Sequence, residues 1–331
     1  MKIVCQLNGL LQLMSRQILI ICLFCSIIII GDDMKILCIG HAAYDITIPV
    51  DEYPEENTKN RVHDRIECGG GPSATAAYLL GKWNMDTTFA GIVGKDLYGK
   101  KIKNEFDMIG VNTKYLEMSE EHTTTSSFIL ANTSIGSRTV FTYRPSDMKM
   151  KEFSLDFEPD IILMDGQEYE MSKKLLEKYP KAISIIDAGR SRKEIVELSK
   201  MVTYLVCSKE FAENVSEIKF NSDYSNASDV YTKLETIFHN NIVVTLEAAG
   251  CLYKLKGEIK IMPSIKLKAV DSTGAGDIFH GAFTYGIANN FDFEKVLKLS
   301  NIAGAISVSR IGTRVSIPTL EEMEEVYNAF K

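Results

Sequence analysis

Residues 269–283 read AVDSTGAGDIFHGAF, and the order of side chains in this stretch suits an anion. Asp271, Ser272 and Thr273 are residue types that cap helices. Gly274, Ala275 and Gly276 carry no bulk that would screen their N–H groups. A helix starting at about Gly276 would aim those groups, and the positive end of its dipole, at an incoming anion. Asp277 then stands beside that anion in the first turn. A carboxylate there also stabilises a helix by itself, so a plain N-terminal charge is the bland reading. Gly-Ala-Gly argues against it, because glycine costs about 1 kcal/mol relative to alanine in a helix. An anion hole beside a carboxylate fits phosphoryl transfer to an alcohol. Asp277 would take the hydroxyl proton, and the amides of Gly274, Ala275 and Gly276 would stabilise charge on the transferring group.

Two other glycine-rich segments compete with this one. CGGGPSATAA (68–77) sets Gly69, Gly71 and Ala74 in a G-x-G-x-x-A order. A dinucleotide motif needs a buried strand before it and an acidic residue ending the next strand. Here the polar NRVHDRIEC precedes, and Pro72 stands in the loop. Gly69, Gly70 and Gly71 read either as a close approach of backbone to a small polar ligand or as a tight turn before a helix. GKDLYGKK (94–101) falls one residue short of a P-loop, with Lys101 where Mg²⁺ coordination wants Ser or Thr. A turn and helix cap is preferred. His41, His63, His122, His239 and His280 show no metal spacing. His280, three residues after Asp277, either orients a ligand or packs inside its helix. Asp187 and Arg190 close a strand at the carboxyl edge of the sheet, where ligands of open α/β sheets bind.

The elements that must position these residues follow from the rest of the 331-residue chain. Apolar residues make up 45% and charged residues 24%, enough for one large core. Net charge is −7 with no basic block, which argues against nucleic-acid binding. Seven irregularly spaced cysteines read as free thiols of a reducing cytosol. ILIICLFCSIIII (18–30) is short for a bilayer span and has no signal-cleavage site after it. Residues 1–33 therefore read as a mis-called start or an apolar leader outside the fold, with a membrane anchor less favoured. From Met34 onward, apolar runs such as KILCIG, TTFAGIV, DIILMD and VTYLVCS alternate with amphipathic stretches. That alternation predicts a doubly wound, mainly parallel sheet flanked by helices. Residues 43–67 and 123–144 carry strands without helices and predict a small β-sheet standing off the main one, with a hairpin turning at Asn132–Gly136.

VDSTGAGDIFHGAF resembles the C-terminal signature of the PfkB-type carbohydrate kinases, which have the ribokinase-like fold. The resemblance runs over residues 34–331. GHAAYD resembles the segment holding the family's sugar-binding aspartate, here Asp45, and GGGPSATAA resembles its di-glycine loop, Gly69 to Gly71. AGIVGKDLYG matches G-x-x-G-x-D-x-x-G. VVTLEAAG resembles a nucleotide-side V-T-x-G-x-x-G, pointing to Thr245 and Gly250. SNIAGAISVSRIGTRVSIPTLEEM resembles the closing helix and adenine-side loop, pointing to Asn301, and Thr273 joins the nucleotide side. The family implies ATP, Mg²⁺, often a monovalent cation such as K⁺, and a cytoplasmic enzyme. It also implies a lid over the sugar, matching 43–67 and 123–144, and dimers paired through lids.

Four departures stand out. Ala74 replaces a sugar-binding asparagine, Cys207 replaces the asparagine of N-x-x-E, Glu247 replaces a loop glycine, and residues 1–33 have no counterpart. Glu210 remains as a water-mediated Mg²⁺ residue, and Asp271 with Thr273 as cation-side supports. The loop motifs look closest to a subgroup that includes sulfofructose kinase. In that comparison Lys59 and Arg138 fall in the lid, where Arg61, Arg65, Arg144 and Arg190 could add to an anionic-sugar patch. A neutral ketose or pentose is the preferred acceptor. A nucleoside kinase and a noncatalytic sugar- or nucleotide-binding sensor are the alternatives.

Overall fold

The computed structural model describes residues 34–329, which form one compact unit; the segment 1–33 lies outside the described residues. In chain order the strands are β1 (Ile36–Ile39), β2 (Ala43–Val50), β3 (Ile66–Gly70), β4 (Thr87–Gly94), β5 (Asn112–Ser119), β6 (Ser126–Asn132), β7 (Ser137–Tyr143), β8 (Ile161–Met164), β9 (Ile183–Ala188), β10 (Tyr204–Ser208), β11 (Asn241–Thr245), β12 (Cys251–Leu255) and β13 (Glu258–Met262). The helices are α1 (Pro72–Lys82), α2 (Leu97–Met108), α3 (Tyr169–Lys178), α4 (Lys193–Ser199), α5 (Lys209–Ser216), α6 (Ala227–Glu235), α7 (Ala275–Ala288), α8 (Phe293–Ser307) and α9 (Leu320–Ala329).

Nine strands form one sheet in the order β13-β12-β11-β10-β9-β8-β1-β4-β5. The pairs from β11 through β5 are parallel. β12 and β13 add an antiparallel edge hairpin that the apolar pattern did not announce. Alternation along β1 shows why both faces are covered: Ile36 and Cys38 join one core with Phe89, Phe106 and Phe283. Leu37 and Ile39 join the other with Phe211 and Leu234. A strand buried on both faces must be apolar throughout, as the short runs from KILCIG onward are.

The remaining strands make the second sheet, β3-β2-β6-β7. β2 and β6 are parallel, and β6 and β7 form the hairpin foreseen at 132–136. Residues 51–65 between β2 and β3 hold no strand or helix beyond turns. Gly69 and Gly70 belong to β3 and are not part of a loop, a correction to the loop expected there.

GKDLYGKK is a cap, as its composition indicated. Asp96 accepts from the Gly99 amide at 2.9 Å and the Thr124 amide at 2.8 Å. The Thr124 hydroxyl adds a third bond at 2.6 Å, tying the start of α2 to the strand entering the small sheet. Asp96→Ala should lower stability by about 1–2 kcal/mol, measured by urea unfolding, because a helix cap and its tertiary bonds are lost together.

Candidate active site

The sheet changes its winding direction between β1 and β8, and the crevice outside the carboxyl ends of such strands is where open α/β sheets take ligands. His41 and Asp165 follow these two strands directly. Asp165 accepts from the His41 amide at 2.8 Å and the Ser73 amide at 3.1 Å through one oxygen, and from the Gln167 amide at 2.9 Å through the other. It anchors the crevice floor. Sequence reading passed over it, although an acid ending the run DIILMD was the available signal. Arg144 is absorbed here too, bonding His41 Nδ1 at 3.1 Å, the Met148 carbonyl at 3.0 Å and Glu168 at 3.1 Å. Burial pushes His41 down to about 4, so its ring is neutral at physiological pH.

Asp45 points from β2 into the space between the sheets and is 5% exposed. Burial raises its pKa, while bonds from Thr313 and Ser127 oppose the rise. The Thr313 hydroxyl donates to it at 2.8 Å. A side chain on Gly70 would collide with the Asp45 carboxyl, its Cβ falling 2.0 Å from Oδ2. Gly69 is needed for another reason: its Cβ would meet the Arg314 guanidinium at 2.4 Å. Arg314 is 2% exposed, ion-paired to Glu105 at 2.8 Å, and stacked on Tyr78 and Phe106. Glu105 also accepts from the Gly69 amide at 2.9 Å. Ala74 is wholly buried in α1, so no side-chain amide faces the sugar side from that position.

Helix α7 begins at Ala275, one residue earlier than its pattern implied, with Gly274 as its N-cap. Gly274 has φ 75°, and a Cβ there would strike the Thr313 methyl at 2.5 Å. Only glycine fits both demands. A Cβ on Gly276 would meet nothing, so the helix start opens onto free space. The preceding loop is clamped by Asp271, which is 1% exposed. One of its oxygens accepts from the Thr273 amide at 2.9 Å and hydroxyl at 2.6 Å; the other accepts from the Gly312 amide at 2.9 Å. Asp277 is partly buried at this start. Burial, and then the Asp187 carboxylate, pushes it up to about 7. His280 turns inward and packs, so it does not meet a ligand directly.

The pfkB family of carbohydrate kinases matches residues 33–320. The chain belongs to that family. Ribokinase of Staphylococcus aureus is 24% identical over 303 residues, covering 88% of this chain and 99% of the relative. The nucleoside kinase of Methanocaldococcus jannaschii is 23% identical, covering 89% and 97%. Among solved structures, a putative ribokinase from Agrobacterium tumefaciens superposes with TM-score 0.82 at 23% identity, covering 90% of this chain and 98% of that one. Ribokinase of Arabidopsis thaliana complexed with ribose and ATP gives TM-score 0.74 at 20% identity, covering 88% and 98%. The fold is ribokinase-like, and the small sheet is its lid.

In this kinase the lid lies down on the segment that leads into α7. Arg138 of β7 donates to Ser272 at 2.7 Å, and a Cβ on Gly136 would meet Ala269 at 2.5 Å. Lys59, Arg61 and Arg190 are exposed, with no hydrogen bond or ion pair among the described residues, and Arg65 pairs with Glu67 at 2.6 Å. Only Arg138 of the six candidate cations is tied to the anion-hole loop. Asn301 is buried and donates to the Met262 carbonyl at 3.1 Å. It lines a cavity of about 480 Å³ with Met262–Lys266, Lys298 and Ile302. Thr245 ends β11 with its hydroxyl on the Cys207 carbonyl at 3.3 Å. Gly250 has φ 106°, and Glu247 keeps a side chain at φ 54°, exposed. Cys207 is buried and offers nothing to a ligand. Glu210 stands exposed in the first turn of α5, without an ion pair among the described residues, a hard oxygen donor suited to a hydrated Mg²⁺. The Asp271 carboxylate is engaged by protein donors at both oxygens.

Glu105→Ala would strand the Arg314 guanidinium without its partner and should cost about 3 kcal/mol or more. Adding Arg314→Met should recover part of that loss in urea unfolding, because the buried charge is then gone.

Proposed function

We propose that this kinase transfers the γ-phosphoryl group of ATP to a hydroxyl of a small carbohydrate. The observation that carries this reading is the open start of α7, where uncovered amides stand beside a carboxyl held near neutrality. Asp45 and the backbone of Gly69–Gly71 hold the sugar under the lid, and Asp277 takes the proton of the attacking hydroxyl. The amides of Gly274, Ala275 and Gly276 stabilise charge on the group in flight. The cavity beside Asn301 receives the base of the nucleotide, with Thr245, Gly250 and Thr273 on the phosphate and ribose side. Mg²⁺ bound with ATP supplies neutralisation of the phosphate charge, and Glu210 meets it through water. Docking the lid through Arg138 excludes water from the reacting groups.

A neutral ketose or pentose is the favoured acceptor; ribose is bound in the Arabidopsis relative. An anionic sugar of the sulfofructose type is the second reading, favoured by Arg138 beside the anion hole and weakened by the commitment of Arg65 and Arg144 elsewhere. A nucleoside acceptor, as in the Methanocaldococcus relative's name, remains in the panel. Four buried free thiols support a reducing cytoplasm as the enzyme's compartment. No helix among the described residues is long and apolar enough to cross a membrane. On the lid's outer face Phe128 is 49% exposed and Phe141 and Tyr143 are each 60% exposed, which supports pairing of two lids in a homodimer.

ADP release measured across neutral, phosphorylated and sulfonated sugars and nucleosides tests the reading. Turnover should depend on one acceptor class. Binding without turnover of any acceptor would instead favour the sensor. Asp277→Asn should lower kcat by about 10²–10⁴-fold with ATP affinity retained by calorimetry. The base must be deprotonated, and its pKa is raised, so kcat/KM of the wild type should climb as pH rises through about 7.

A further inference from the structure

His280 is 3% exposed and sits where two backbone carbonyls converge. Its Nδ1 lies 2.6 Å from the Gly276 carbonyl oxygen and 3.2 Å from Asp187 Oδ2. Its Nε2 lies 3.1 Å from the Val206 carbonyl oxygen on β10. The two carbonyl oxygens are acceptors only, and so is the Asp187 carboxylate when ionised. A neutral imidazole has one N–H, so either tautomer would press a bare lone pair against a carbonyl oxygen. Only the doubly protonated ring satisfies both sides, and Asp187, 9% exposed at the end of β9, supplies the counter-charge. The peptide group that His280 grips through Gly276 is the one whose N–H belongs to Asp277.

The geometry points to His280 as a buried imidazolium paired with Asp187, a positioning residue that holds the Gly276–Asp277 peptide and balances the charge around the base. This rests on the kinase reading only for its kinetic consequence. The charges facing Asp277 come from four elements: Asp187 on β9, His280 on α7 itself, Asp45 on β2 and Arg138 on β7. Asp187 in turn faces His280 and Asp165, just after β8, with the Cys207 thiol of β10 nearby. Asp187 acts on Asp277 more strongly than His280 does. Removing each partner should therefore move the base in opposite directions.

Two measurements test this. Nitrogen-15 spectra of the histidine rings in the full chain, without substrate, should show His280 protonated at both nitrogens at pH 7. In Asp187→Asn that double protonation should be lost at a lower pH than in the wild type. A neutral ring in the wild type at pH 7 would overturn the assignment. The acid limb of kcat/KM should move to higher pH in His280→Gln, where a cation is lost. It should move to lower pH in Asp187→Asn, where a like charge is lost. Limbs unmoved in both variants, or moved in the same direction, would reduce His280 to a packing role. If His280→Gln fails to fold, the wild-type spectrum and Asp187→Asn still decide. A panel without any turnover would overturn the kinase reading alone, since the spectrum needs no acceptor.

Discussion

One carboxylate holds the two halves of the site together. Asp271 reaches forward to the amide and hydroxyl of Thr273 and across to the amide of Gly312. The first pair of bonds sets the loop that launches α7. The second draws in the segment after α8, whose next residues carry Thr313 to Asp45 and Arg314 to Glu105. The start of α7 and the Asp45 carboxyl of the lid are thus linked through a single buried acid. Such an acid is tolerable only because both oxygens are fully bonded.

The neighbourhood is dense in ionisable groups. Asp45, Asp165, Asp187, Asp277, Glu168, His41, His280, Arg144 and Arg314 gather between the strand ends and the lid. Apart from Asp277, each is held by hydrogen bonds or an ion pair where an apolar core would pack more easily. Arg314 is the extreme case, with Nε and Nη2 bonded to nothing among the described residues. Its stacking on Tyr78 and Phe106 offsets part of that cost. Burial first, and then the Asp187 carboxylate, raises the pKa of Asp277 to about 7, which suits the base proposed for it. The crowding also explains why the glycines are where they are: Gly69 and Gly70 are spaces reserved for a guanidinium and a carboxyl.

Much of this was legible beforehand. AVDSTGAGDIFHGAF announced a helix start with bare amides and an acid, and the structure places them so, one residue early. The alternation of apolar runs announced the parallel sheet, and Asn132–Gly136 the lid hairpin. Other features were illegible for stated physical reasons. The β12–β13 hairpin is half exposed and lacks a continuous apolar run. Arg144 looked like a lid cation and is spent on His41 and Glu168, because a charged side chain's partners come from strands distant in sequence. Arg314 gave no signal at all; a lone arginine in RIGTRVS reads as a surface charge until the fold buries it.

Local chemistry by itself therefore determined the helix start: capping residues, small residues and a first-turn acid within the seven positions 271–277 specify a start with bare amides whatever surrounds it. The tertiary structure decided which groups surround that start and how the Asp277 carboxyl is tuned. Lid docking through Arg138, the meeting of Asp45 with Gly70 and Thr313, and the Asp187–His280 pair beside Asp277 all join residues from different strands and helices. Electrostatic energies depend on distance and burial, and neither exists along a chain until the sheet and helices close around it.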